Sequence, residues 1–136
     1  MANQRRRVAC GLVCAMVLSS VLPAIASENV FPFDRELMLD ANPMRGSKRV
    51  PILQIGQDGT ASIDLWCASA RAEANVGPGS ITIIPGEIQQ AQCAPDRQSV
   101  DENLLGALAQ VTNWRRRGDV IELLGARTLR FRLMTN

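Results

Sequence analysis

A chain of 136 residues with 46% apolar content has room for one modest core, and its formal charge of +2 is too small to mark a binder of nucleic acid or anionic membrane. It contains no histidine and no tyrosine, so the side chain best suited to proton transfer near neutral pH is missing. Four cysteines without a histidine are also poor material for a zinc site, and no cofactor is implied.

The N-terminus reads as an export signal. Arg5, Arg6 and Arg7 head an apolar run from Val8 to Val21, and Pro23-Ala24-Ile25-Ala26 ends in the small-x-small pattern that a signal peptidase cleaves. Residues 1–26 are expected to be a signal peptide helix, cut between Ala26 and Ser27, which sends the protein to the periplasm or out of the cell. The basic head supplies three of the 15 basic residues, so the remainder carries 12 against 13 acidic ones and is close to neutral. Cys10 and Cys14 fall in this leader. Cys14 follows Leu12-Val13, with no small residue directly before it, which argues against a lipoprotein anchor. No later apolar run approaches the ~18 residues of a spanning helix, so no membrane span is expected after cleavage.

Residues 27–34 are expected to be flexible and 35–134 to form one domain of short alternating strands. Glu36 to Asp40 is a first strand. Val50 to Gly56 and Thr60 to Trp66 flank Asp58-Gly59, a strong hairpin signal. Ala70, Ala72 and Ala74 alternate with Arg71, Glu73 and Asn75, giving a strand with a small inner face and a polar outer one. Gly77-Pro78-Gly79 turns the chain into Ser80 to Ile84, and Pro85-Gly86 is expected to turn it again into Glu87 to Gln92. Ser99 with Glu102 three residues later forms a capping-box pattern, and Val100, Leu104, Leu108 and Val111 recur at helical spacing, so a helix is expected over about 99–111. Strands then resume at Thr112 to Arg116, Val120 to Leu124 and Thr128 to Leu133. The total is eight or nine strands and one helix in a mainly β (α+β) domain. Leu37, Leu39, Ile52, Ile63, Leu65, Ile81, Ile83, Ile88, Val120, Leu123, Leu129 and Phe131 are the expected inward residues.

Cys67 and Cys93 each end a predicted strand, an arrangement that suits a disulfide within the sheet in an oxidising compartment. A redox pair would more often stand as Cys-x-x-Cys at a helix start. Carboxylates such as Asp58, Asp64, Asp101 and Asp119 fall in turns, at the helix start or on outer strand faces, where solvation is expected, and no acid–base pair stands out. Trp114, Arg115, Arg116, Arg117, Arg130 and Arg132 make the C-terminal strands the one locally basic region and a possible contact patch for an acidic partner. Alternation places Arg115 and Arg117 on one face, Trp114 and Arg116 on the other.

The run CAPDRQSVDENLLGALAQVTNWRRRGDVIELLGARTLRF, from Cys93 to Phe131, joins a cysteine, an acidic helix with a leucine face, a strand, Gly-Asp, an apolar strand and a terminal Leu-x-Phe. With Cys67 closing an earlier strand, this resembles the META domain, or HslJ-like, family over about residues 34–133. The first half departs from the family pattern: Trp66-Cys67-Ala68 stands where Gly-Cys-Asn is common, and Gln89 or Gln90 where a threonine often precedes the second cysteine. The resemblance implies a small antiparallel, lipocalin-like β-barrel with one packed helix. It also implies an envelope or secreted protein linked to stress and drug tolerance, with no established catalytic residues.

Three functions are compatible with these features. The leading expectation is a noncatalytic, monomeric envelope protein that works through protein contacts and binds no nucleic acid. The second is a carrier of a small apolar ligand inside the barrel. An inhibitor of a cell-wall hydrolase is the third, weakened because inhibitory motifs of that kind contain tyrosine.

Overall fold

The computed structural model describes residues 30–89 and 92–135; the expected signal peptide, its cleavage point and Cys10 and Cys14 lie outside them. Among the described residues, eight strands and one helix follow in the order β1 (Leu37–Leu39), β2 (Ile52–Ile55), β3 (Thr60–Asp64), β4 (Ser69–Val76), β5 (Ile81–Gln89), α1 (Pro95–Ala109), β6 (Asn113–Arg117), β7 (Val120–Leu124) and β8 (Leu129–Leu133). All strands belong to one antiparallel sheet, ordered β5-β4-β3-β2-β1-β8-β7-β6. The sheet curls into a half-barrel, and its first and last strands meet through a bridge between Ser80 and Asn113. Two backbone bonds secure that seam, Ile81 N–H to Thr112 O and Trp114 N–H to Gly79 O, both 3.0 Å.

Local chemistry accounts for most of the turns. At the β2–β3 hairpin Gly59 takes φ +82°, a left-handed conformation that costs glycine little, and the Asp58 carboxylate accepts from the Thr60 amide at 3.0 Å. The side chains of β4 and β5 alternate as their sequences require: Ala70, Ala72, Ala74, Ile81 and Ile83 face the core while Arg71, Glu73 and Thr82 face out.

Three expectations about the elements are corrected. Pro85-Gly86 does not turn the chain, because β5 runs unbroken through it. Ala70 pairs with Ile88 and Ala72 with Pro85, so β5 carries one residue more than β4 between these pairs. The excess is absorbed as a β-bulge, where a Cβ on Gly86 would come within 3.1 Å of the Arg71 carbonyl. Proline is tolerated there because β5 lies at one end of the strand order. The helix begins at Pro95, a turn earlier than expected, with Ala94 as its uncapped N-cap and Pro95 in the first helical turn. Ser99 therefore caps nothing; its hydroxyl donates back to the Asp96 carbonyl at 3.0 Å. Finally, Ile52 and Val120 are only half-buried, and Leu53, Ile55 and Ile121 take the inward positions beside them. An alternating apolar pattern with apolar residues on both faces leaves the parity open, and the pairing Leu37 to Leu53 fixes it.

The interior is one continuous apolar cluster. Leu37, Leu53, Ile63, Ile121, Leu123 and Phe131 are less than 2% exposed, and Leu104, Leu105 and Leu108 of α1 join them. Residues 31–34, within the stretch expected to be flexible, pack as well. Phe31 is buried, tilts against Phe33 and meets the Trp114 ring edge-on at 5.2 Å, while the Asp34 amide bonds the Ile55 carbonyl at 2.8 Å. No helix of the described residues is long and apolar enough to cross a membrane.

Candidate functional site

Two polar constructions stand out on this scaffold. The first fixes α1 to the sheet. Cys67 and Cys93 form a disulfide with their Cα atoms 5.9 Å apart, joining the corner between β3 and β4 to the chain just ahead of α1. Beside it Asp101, one and a half turns into the helix and only 1% exposed, reaches the same corner. Its Oδ1 accepts the Trp66 amide at 2.8 Å, and its Oδ2 accepts the amides of Cys67 and Ala68 at 3.2 and 2.9 Å. Three successive backbone N–H groups thus converge on one carboxylate, a nest that satisfies donors the corner leaves without a strand partner. Asp101 was expected among the solvated carboxylates of a helix start. Because α1 begins at Pro95, it lies instead on the helix's buried face with Leu104, Leu105 and Leu108.

The second construction is an arginine-covered outer face on β6, β7 and β8. Register sets it directly: Arg115 lies opposite Glu122, and Glu122 opposite Arg130. Glu122 is 2% exposed. Its Oε1 accepts from Arg130 Nε at 3.0 Å, its Oε2 accepts from Arg115 Nε, and Arg117 stands 4.0 Å away. The hydrogen bond from Arg115 holds the Glu122 carboxyl below the usual glutamate range against the opposing effect of burial, and the charges of Arg115, Arg130 and Arg117 add to it. The arginines themselves stay open, with side chains 49%, 69% and 62% exposed for Arg115, Arg117 and Arg130. Three guanidinium groups over a single carboxylate leave a net positive, pre-positioned surface. Arg132 flanks it and pairs with Asp40 at 3.1 Å.

The contact patch is divided between the two faces of the sheet, as strand alternation predicts. Arg115, Arg117, Arg130 and Arg132 are exposed on the outer face, whereas Trp114 is buried, with its indole N–H donating to the Gly77 carbonyl at 2.8 Å. Arg116, on the same side as Trp114, is half-buried and donates to the carbonyls of Gly118 and Val30. Glu122, which the sequence reading did not single out, is the group that organises the others. Its register against two arginines was the signal available for it. Nothing in the sequence set Asp101 apart from its neighbours on the helix.

The fold and these sites can be set against known proteins. An NMR structure of a protein from Burkholderia xenovorans aligns with a TM-score of 0.58 and 19% identity, covering 76% of this chain and 84% of that one, a likeness of fold. A search of the curated proteins matched none. The META domain model matches residues 35–136, which span every strand, the helix, the disulfide and the arginine face. By that match, the chain belongs to the META domain family.

Proposed function

We propose that this META-domain protein is an exported, noncatalytic factor that acts in the envelope by binding another protein across its arginine face. The carrying observation is Glu122 buried beneath Arg115, Arg117 and Arg130, which positions their exposed guanidinium groups without neutralising them all. Fixed cationic groups of this kind favour an acidic protein surface, since arginine pairs with carboxylates through a planar fork of donors. The filled interior supports contact at the surface over carriage of a ligand inside. The absence of histidine and tyrosine from the chain supports a noncatalytic role. An accessory part in envelope stress is the physiological role that the family resemblance favours.

A photoreactive residue placed at Arg117 in the living cell, compared with one at Glu73 on the outer face of β4, tests this. Adducts with a defined envelope protein at position 117, lost when Arg115 and Arg130 are replaced by glutamine, are expected. Equal adducts at both positions, or none at 117, would overturn the proposal.

A further inference from the structure

The end of the barrel that α1 crosses carries a groove which nothing described so far uses. Its floor is made of Leu39 at the end of β1, Trp66 at the β3–β4 corner and Leu104 of α1; its rim carries Asp40, Arg127 and Arg130. The floor is rigid. Leu104 and Trp66 are 3% and 7% exposed, and the Trp66 backbone is held by Asp101. The rim is unevenly charged. Asp40 is engaged by Arg132, while the Arg127 guanidinium makes only a long contact of 3.5 Å to the Asn103 carbonyl among the described residues.

Arg130 belongs to both places. Its Nε is bonded to Glu122 in the arginine face, and its side chain, 62% exposed, also borders the groove. The apolar floor and the cationic ladder are consequently adjacent parts of one surface. Along the ladder, Arg130 and Arg115 stand on β8 and β6, two strand spacings or about 10 Å apart, but both turn onto the Glu122 carboxylate between them, which draws their guanidinium groups closer than that. An extended peptide turns alternate side chains to one face, about 6.6 Å apart, so carboxylates at every second position can meet neighbouring arginines of this surface.

We infer that groove and ladder form a single docking surface for an extended protein segment in which one apolar side chain is flanked by acidic residues at every second position. The apolar side chain seats on Leu39, Trp66 and Leu104, and the carboxylates meet Arg127, Arg130 and Arg115. Charge complementarity favours this occupant over a neutral apolar one, because any chain entering the groove passes the two rim arginines. The inference rests on the reading of the arginine face as a protein-binding surface and adds the anchor and the spacing.

The test titrates the oxidised protein, followed by NMR, with three synthetic peptides: one with a leucine flanked by spaced aspartates in a serine background, one with that leucine changed to serine, and one with the aspartates changed to asparagine. The first is expected to bind at least tenfold more tightly than either of the others. It should shift the indole N–H signal of Trp66 and leave that of Trp114 in place. Arg127→Gln, an exposed change, should weaken it several-fold at an unchanged melting temperature. Equal binding of the leucine-free peptide, or of polyphosphate, would overturn the anchored segment while leaving the arginine face standing. If no peptide binds but cross-links at position 117 persist, the inference fails alone; if both are absent, the proposed function fails with it.

Discussion

Asp101 and Trp66, 35 residues apart in sequence, are joined by a 2.8 Å hydrogen bond from the Trp66 amide to the Asp101 carboxylate, and both residues are buried. The same carboxylate serves Cys67 and Ala68, so its removal strands three backbone donors at once. Asp101→Ala is expected to cost about 3 kcal/mol, the scale of losing hydrogen bonds to a charged acceptor at a buried site. Asp101→Asn should recover little, because its amide group turns donors toward donors. Urea unfolding measures both; a loss below about 1 kcal/mol for the alanine variant would show that water replaces the carboxylate without penalty.

The disulfide stabilises the same junction through the unfolded chain. Its 26-residue separation corresponds to about 3.5 kcal/mol on the loop-entropy model, which is a substantial part of a small domain's stability. Cys93→Ser should lower the melting temperature accordingly. Since the Cys67 amide is one of the three held by Asp101, the double variant with Asp101→Ala should lose less than the sum of the two single losses. Strict additivity in a double-mutant cycle would mean that bridge and carboxylate act independently.

Glu122 gives the protein an acid-sensitive component. Its folded pKa is lowered, chiefly by the hydrogen bond from Arg115, so its contribution is fully present above the unfolded value of about 4.3 and is lost as pH falls through the lower folded value. Glu122→Gln should remove about 1 to 2 kcal/mol at neutral pH, discounted because the arginines are exposed to solvent. Thermal melts from pH 7 to pH 2 should show a shallower acid limb for the variant. Parallel curves would assign the acid sensitivity to other carboxylates.

Trp114 is expected to behave as a core residue. Trp114→Phe keeps most of the ring contact with Phe31 but removes the indole donor from the Gly77 carbonyl, at a cost of about 1 kcal/mol. Trp114→Ala should cost about 3 to 5 kcal/mol. Calorimetry of the two variants separates the roles. A near-neutral alanine variant would be incompatible with the burial of this side chain.

The sequence disclosed the elements more readily than their faces. The Asp58-Gly59 hairpin, the small inner row of Ala70, Ala72 and Ala74 and the helix that follows Cys93 were all legible, because turn chemistry and alternation act over a few residues. The bulge at Pro85-Gly86 was read as a turn because the same residues serve either, and only the pairing with β4 distinguishes them. Asp101 was hidden for a related reason. Its partners are backbone amides of a corner more than 30 residues away, and amides carry no residue identity to read. The parity that separates Trp114 and Arg116 from Arg115 and Arg117 was legible from alternation, whereas the register that sets Glu122 between Arg115 and Arg130 depends on pairing across three strands.

The two ends of the described chain converge on the same place. The Met134 amide bonds the Glu36 carbonyl at 3.0 Å, the Leu133 amide bonds Asp119 in the β6–β7 turn, and the Val30 carbonyl accepts from Arg116 beside that turn. Leu39 and Arg130 lie at the far ends of β1 and β8. Any tether or added module joined at residue 30 or 134 would therefore sit behind the domain, with Trp66 and the groove directed outward, so a fluorophore or affinity handle fused at either end can report on docking without obstructing it.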